Sequence, residues 1–137
     1  MTNDEKTLFQ KILDGDLPAS FLARGKSVFA ILDINPVNPG HALVITNEPY
    51  RDLSDVPSEV ITECMDLAKS IAEKQKSELG ATGVNIIHNM GADAGQIIFH
   101  THIHIIPRFP DDGFQQWRGG VTPNQEELME LAEKLKL

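Results

Sequence analysis

The sequence predicts an α+β fold: a mainly antiparallel sheet, one long helix, and shorter N- and C-terminal helices. Apolar residues recur at helical spacing from Pro57 to Leu79, and Gly80 follows as a helix stop. Two pairs of segments have the composition of strands and are joined by turn-rich stretches, which favours hairpins: 28–34 with 41–46, and 84–89 with 96–106. The order helix, hairpin, helix, hairpin, helix is typical of this class, and 137 residues suffice for one domain, 1–137.

The two terminal helices are placed by the residues at their ends. A first helix is predicted over 4–14, because Gly15 can stop it and one face is apolar: Leu8, Phe9, Ile12 and Leu13. A last helix is predicted to begin at Thr122 as its N-cap. Pro123 would take the first helical position there, and Gln125 would be the capping-box partner.

Composition excludes several classes of protein. A net charge of −8 argues against a nucleic-acid partner, which needs clustered positive charge. No apolar run reaches the roughly 18 residues of a membrane span, so no membrane partner is expected. The single cysteine, Cys64, forbids an intrachain disulfide and lies in the apolar stripe of the long helix, where a core role is expected. A cytoplasmic protein is the expectation.

Three of the five histidines form a row, His100, His102 and His104. In a strand, alternate side chains share one face, so the row would line one surface of the sheet. The opposite face would bury Ile97, Phe99, Thr101, Ile103 and Ile105. Each imidazole is a base near neutral pH, with an ordinary pKa of about 6.5, so the row predicts an active site. His88 falls on the other face of its strand and is expected to be structural.

If the loop 90–95 closes a simple hairpin, Asn89 pairs with Gln96, and the returning strand ends at Pro107. Asn85, Asn89 and Gln96 would then share the face of the histidines. Gly91 and Gly95 in the turn would let backbone N–H groups approach an anion. This combination favours attack by a histidine on phosphorus, with its neighbours contacting the phosphoryl oxygens and the leaving group.

Two other functions stay open. Alternating histidines are also a zinc arrangement with a free fourth position, which would give a metal-dependent hydrolase. Against it, the row would span about 13 Å in a flat strand and holds no interleaved carboxylate. The second alternative is a regulatory or partner-binding protein with little turnover, because a fold does not guarantee an activity.

The segment from Gly95 to Ile106 resembles the signature of the histidine triad (HIT) family, His-φ-His-φ-His-φ-φ. The resemblance extends to the stretches 9–18, 32–36 and 40–45. The segment after the histidine row is similar to the same segment in microbial members of the branch that contains the nucleoside phosphoramidases. The residues that carry this similarity are Pro107-Arg108, Asp112-Gly113-Phe114 and Trp117. The resemblance implies a HIT-like domain that cleaves a nucleoside 5′-monophosphate from its leaving group, as in phosphoramidates or dinucleoside polyphosphates, through a nucleotidyl-histidine. With this resemblance, the binding alternative becomes a nucleotide-binding regulatory or partner-binding protein with little turnover.

The resemblance also implies roles for single residues. His102 would be the nucleophile, His104 would contact the phosphate and assist the leaving group, and His100 would orient the centre, buttressed by His41. The phosphate would be held by Asn89, Gln96 and the backbone around Gly95 and Ile97. Asp33 would take the ribose hydroxyls. The base would be bordered by Phe9, Ile12, Leu17 and Leu32, although for the first three of these plain core packing is an equal alternative.

Many relatives carry Cys-x-x-Cys and a later histidine that bind structural zinc. Thr7, Gln10 and Pro49 stand here instead, so no structural zinc and no required cofactor are expected. A divalent cation is allowed for only as the companion of a polyphosphate substrate. Ile97 replaces a usual Ser or Thr, which leaves only its backbone N–H for the phosphate. The resemblance further implies a homodimer and a purine nucleotide substrate, with adenosine favoured. Trp117 would pack in the tail or against a partner's site.

Overall fold

The computed structural model describes residues 2–137. It has three α-helices and five strands: α1 (Leu8–Leu13), β1 (Phe21–Arg24), β2 (Val28–Leu32), β3 (Ala42–Thr46), α2 (Ser58–Leu79), β4 (Gly83–Ile87), β5 (His102–Arg108) and α3 (Gln125–Leu135). Short 3-10 turns occur at Asn3–Glu5, Leu53–Asp55 and Ala92–Ala94. The predicted α+β class is confirmed.

The strands form one antiparallel sheet in the order β1-β2-β3-β5-β4. On one face, α2 covers an apolar cluster from β2, β3 and β5 that includes Val44, Ile103 and Ile105. On the other face, α1 covers a smaller cluster that includes Phe9, Phe29 and Leu43. In the β3–β5 register Leu43 lies opposite His104, which puts His104 on the α1 face.

The long helix lies where the sequence predicts it. α2 begins at Ser58, and Gly80 ends it in the left-handed conformation (φ 73°) that glycine adopts without strain. Cys64 is 2% exposed within the α2 cluster, so its predicted core role is confirmed. Burial raises the pKa of its thiol to about 11. No helix in the described part of the chain is long and apolar enough to cross a membrane.

The predicted second hairpin is wrong in its turn and register. Asn85 lies opposite Ile106, six residues beyond the partner that a turn at 90–95 would give it, so Asn89 and Gln96 do not pair. Residues 88–101 instead make a long connection. Six is an even number, so Asn85 and Ile87 still share the face of His104.

Strand β5 is also shifted along the chain, from His102 to Arg108. It runs through Pro107, which was expected to end it. Pairing with β3 stops at Ile105, so on that side the missing proline N–H removes no ladder hydrogen bond.

The terminal helices are shorter than predicted. Thr7 and Gln10 form a capping box, in which each side chain accepts from the other's backbone N–H, so α1 begins at Leu8 rather than at residue 4. α3 is capped by Asn124, whose side chain accepts from Glu127 N–H, and not by Thr122. Trp117 is 90% exposed between β5 and α3. Strand β1, four residues long, was not predicted, because four residues are too few to establish a period.

Candidate active site

A cavity of about 620 Å³ opens on the α1 face of the sheet. Its apolar end is formed by α1 and the end of β2, and its polar end by β5 and the 88–101 connection. Ten of the residues proposed from sequence line it: Phe9, Ile12, Leu17, Leu32, Asp33, Asn89, Gly95, Ile97, His102 and His104. Sequence reasoning missed eight others: Leu8, Pro18, Ala19, Ile31, Ile34, Asn35, Leu43 and Ile98.

Three proposed residues, His41, His100 and Gln96, do not line the cavity. Gln96 is 4% exposed, and its side chain holds the 88–101 connection together: Oε1 accepts from Gly91 N–H (2.9 Å), and Nε2 donates to the Arg51 carbonyl (2.7 Å). The Gln96 amide therefore cannot contact a phosphate unless these two hydrogen bonds are broken.

The predicted alternation holds from Thr101 onwards, which is one residue before β5 begins. Thr101, Ile103 and Ile105 are buried as expected, and His102 and His104 face the cavity. Ile97 is 87% exposed and Phe99 42% exposed, where burial was expected, while His100 is fully buried. The reason is that residues 96–100 lie in the connection before β5 and not in the sheet, so the two-residue period does not apply to them.

The ring of His102 is held in one tautomer by the backbone. Its Nδ1 lies 2.7 Å from the His100 carbonyl oxygen, which can only accept, so Nδ1 carries the proton. Nε2 of the neutral ring then keeps a free lone pair. The ring also meets Phe9 edge-on, with 5.0 Å between centroids. His102 Nε2 is therefore chemically able to act as a nucleophile.

The ring of His104 is held in the opposite state. Val37 N–H donates to His41 Nδ1 (3.0 Å), so the proton of neutral His41 is on Nε2. That Nε2–H donates to His104 Nδ1 (3.0 Å), so the proton of neutral His104 is on its own Nε2. His41 therefore supports His104, not His100 as expected, because the β3–β5 register brings the two together on one face.

Burial keeps these rings neutral. It is the largest cause that lowers the pKa of His41, His100, His102 and His104 below the usual 6.5. Asp33 acts in the opposite direction on His41, His102 and His104, but more weakly. Near pH 7 the cavity therefore presents a lone pair on His102 and an N–H donor on His104, whose ring centroids are 5.2 Å apart.

Asp33, His41 and His104 have the spacing of a metal site, with candidate ligand atoms within 4.8 Å of one another. The hydrogen bonds argue against an ion there. Because His41 Nδ1 already accepts from Val37 N–H, its Nε2 must keep a proton and has no lone pair for a metal. Asp33 Oδ2 lies 3.6 Å from that Nε2, and Oδ1 accepts from Asn35 N–H (2.8 Å).

The glycine loop presents fewer free donors than expected. Gly91 and Gly95 both have positive φ, as a glycine turn requires, but Gly95 N–H donates to the Ala92 carbonyl and Gln96 N–H to the Gly91 carbonyl. Within residues 2–137, the Ile97 N–H has no hydrogen-bond partner. This N–H is therefore available as a donor to a phosphoryl oxygen at this end of the cavity.

His88 is fully engaged by the backbone. Leu53 N–H donates to its Nε2 (3.0 Å), and its Nδ1–H donates to the His102 carbonyl (3.0 Å). It is structural, as expected, and it anchors the first residue of β5.

Comparison with known proteins identifies the fold that carries this site. The HIT domain family model matches residues 14–111. The chain belongs to the HIT family. A crystal structure of a HIT family member from Bacillus subtilis is similar to it, with a TM-score of 0.88 and 31% identity over 96% of this chain and 95% of that one.

Two named relatives of this HIT protein act on nucleotides. An adenosine 5′-monophosphoramidase of Saccharomyces cerevisiae is 36% identical over 107 residues, 78% of this chain and 65% of that protein. An adenylylsulfatase of Arabidopsis thaliana is 39% identical over 101 residues, 74% of this chain and 51% of that protein. At family level these relatives support nucleotide hydrolysis.

Proposed function

We propose that this HIT protein hydrolyses adenosine 5′-monophosphate derivatives through a nucleotidyl intermediate on His102, with phosphoramidates or dinucleoside polyphosphates as its substrates. The observation that carries the proposal is the pair of opposite tautomers in one cavity. His102 offers a lone pair at Nε2, and His104 offers an N–H donor beside it. The alternative of a binding protein needs no such pair.

In the first step, the His102 Nε2 lone pair forms a bond to the α-phosphorus. The bond from phosphorus to the leaving group breaks, and its electron pair departs with the leaving group. An amine leaving group takes up one proton from solvent as it departs, which balances the proton that water releases in the second step. His104 Nε2–H donates a hydrogen bond to the phosphoryl or leaving atom. The substituted His102 ring is cationic, and its Nδ1–H to the His100 carbonyl then becomes a charge-assisted hydrogen bond.

In the second step, water attacks the same phosphorus. The N–P bond breaks, its electron pair returns to His102 Nε2, and the nucleoside monophosphate is released. The oxygen of water stays on phosphorus, and its released proton passes to solvent. The enzyme is then back in its starting tautomers.

The cavity has room and chemistry for the rest of the nucleotide. Its apolar end, with Phe9, Ile12 and Leu32, suits the face of a purine base. Asp33 lines the same cavity, with a carboxylate oxygen within 4.8 Å of a His104 ring nitrogen, where it can accept from the ribose hydroxyls. Adenosine is proposed as the nucleoside because both named relatives act on adenylyl compounds.

No metal or cofactor enters these steps. The nucleophile is already a neutral imidazole, because burial lowers the pKa of His102. The structural zinc site that the resemblance implies for many relatives needs two thiolate ligands. Thr7 and Gln10 stand at those positions here, and their side chains accept from each other's backbone N–H in the α1 cap. A divalent cation is proposed only as a companion of a polyphosphate substrate.

A homodimer in the cytoplasm is proposed for the assembled protein. The sheet has two edge strands, β1 and β4. β1 is short and its register is interrupted between Phe21 and Ala23, which makes it a poor pairing edge. β4 is regular over Gly83–Ile87, so it is the edge proposed to pair with a second copy.

Peptide mass spectrometry after a rapid quench tests the mechanism. The protein is mixed with an adenosine phosphoramidate that has a good leaving group, quenched within one turnover, and digested. The expected result is an adenylyl group on the peptide that holds His102. Turnover without any adduct at the shortest quench times, or an adduct on another residue, would contradict the covalent route assigned to His102. Nucleotide binding without turnover would favour the binding-protein alternative.

A further inference from the structure

Thr7 touches the histidine row across 93 positions of sequence. Its Oγ1 lies 2.6 Å from Nδ1 of His100, which is fully buried. Thr7 is also the N-cap of α1, and the same oxygen accepts from Gln10 N–H (3.1 Å). One hydroxyl therefore joins the start of α1 to His100, which lies two residues before the start of β5.

The direction of the Thr7–His100 bond follows from its neighbours. His100 Nε2 lies 2.6 Å from the Thr46 carbonyl oxygen, which can only accept, so the proton of neutral His100 is on Nε2. Burial lowers the pKa of His100 and keeps it neutral. His100 Nδ1 is thus an acceptor, and the Thr7 O–H donates to it. The hydroxyl has one proton, and this bond uses it.

We infer that Thr7 is a positioning residue for the nucleophile, acting through His100. The hydroxyl of Thr7 and the carbonyl of Thr46 hold the His100 ring from two sides. With its ring fixed, His100 presents its own backbone carbonyl to His102 Nδ1–H at 2.7 Å. That bond turns the His102 Nε2 lone pair towards the cavity. The inference rests on the proposed role of His102.

The same contact links the nucleophile to the wall of the nucleotide cavity. Phe9, two residues after Thr7, lies edge-on to His100 (5.5 Å between centroids) and to His102 (5.0 Å). Phe9 and Ile12 of α1 also line the apolar end of the cavity. Both residues are also packed in the apolar cluster under α1, which does not involve the Thr7 hydroxyl. Loss of that hydroxyl should therefore misdirect His102 more than it weakens nucleotide binding.

Three variants separate positioning from simple helix capping. Thr7→Ser keeps both hydrogen bonds of the hydroxyl. Thr7→Val keeps the side-chain shape and loses both. Gln10→Ala is the matched control, because it removes half of the capping box and leaves the Thr7–His100 bond in place.

We expect Thr7→Ser to keep kcat within about threefold, and Thr7→Val to lower kcat roughly 10- to 100-fold with a small change in KM, the cost typical of a misplaced reacting group. Gln10→Ala should lower the Tm about as much as Thr7→Val does and leave kcat within about threefold. Equal losses of kcat in Gln10→Ala and Thr7→Val would mean that Thr7 only caps α1. Full kcat in Thr7→Val would overturn the inference directly.

A ¹⁵N NMR measurement on the histidine rings needs no damaging variant. In the wild-type protein, His100 should show an unprotonated Nδ1 and a protonated Nε2, and the opposite tautomer would overturn the inference. In Thr7→Val, the His100 pKa should rise, because a donor to its neutral form is lost. These signals do not depend on turnover, so they stand or fall separately from the hydrolase assignment.

Discussion

The two faces of the sheet are held by different forces. The α2 face is closed by apolar packing between α2 and the strands, with Ala30, Val44, Ala68 and Ile105 all at 0% exposure. The α1 face is partly open and holds a chain of histidines, each fixed by a backbone group or by another side chain. The first face therefore sets the stability of the fold, and the second sets ring orientation and protonation.

On the α1 face, the largest effect on activity is expected at His102. We expect His102→Ala to lower kcat by several orders of magnitude, as for other lost nucleophiles, while nucleotide affinity changes little. Steady-state kinetics and calorimetric titration with adenosine monophosphate measure the two effects. A variant that kept more than about a tenth of wild-type kcat, a barrier change under ~1.4 kcal/mol, would show that His102 is not the nucleophile.

A core substitution on the α2 face should lower the stability of the fold and leave kcat nearly unchanged. Ile71 of α2 is 8% exposed within the α2 cluster, and Ile71→Ala should lower the free energy of unfolding by about 2–5 kcal/mol. The folded fraction should keep kcat within about twofold. Urea unfolding and active-site kinetics on one preparation test this. A large fall in kcat of the folded protein would show that the two faces are coupled.

Lowering the pH below about 6.5 should reduce both stability and activity by protonating the histidines of the α1 face. The pKa of His41, His100, His102 and His104 is lowered in the folded protein, so below about pH 6.5 the unfolded chain binds more protons than the native one. Stability is then complete above pH 6.5 and falls as the pH drops towards the native values. kcat/KM should fall in the same direction, because protonated His102 has no lone pair.

Unfolding in urea at pH 7.5 and 5.5, with the rate measured at each pH, tests this expectation. The carboxylates with lowered pKa, Asp52 and Asp112, stay charged over this window and do not contribute. His102→Ala is the control, since it should show a smaller loss of stability between the two pH values. Stability that rises on acidification would mean that the site histidines are stabilised in their charged form.

The same contrast explains which features could be predicted from sequence. The α2 helix and the alternation of Ile103 and Ile105 with His102 and His104 follow from periodicity, because apolar burial repeats with the geometry of the element. Periodicity cannot show where a strand begins. Phe99 and His100 continue the pattern of β5 although the chain has left the sheet there, so the face assigned to them was wrong.

The remaining features depend on contacts between distant residues. The bond from Thr7 to His100 joins two segments that no local pattern relates. The Val37 N–H that sets the tautomers of His41 and His104 is a backbone group, so no residue type marks it. One signal was available: Thr7 and Gln10 have the spacing of a capping box, which would have placed the start of α1 correctly.

The smallest expected effect is that of a chelator, and it tests whether the polar face is a hydrogen-bonded chain or a metal centre. Asp33, His41 and His104 are close enough to hold an ion, but the proton on His41 Nε2 occupies the position a metal would take. We expect the purified protein to hold no stoichiometric zinc, and we expect the proposed hydrolysis of an adenosine phosphoramidate to keep its rate in EDTA within the error of the assay. Atomic absorption and the rate before and after dialysis are the measurements. One equivalent of zinc, with the rate lost on its removal and restored on its return, would revive the metal-dependent hydrolase. It would also require His41 to release its bond from Val37, which the ¹⁵N signals of the His41 ring would show.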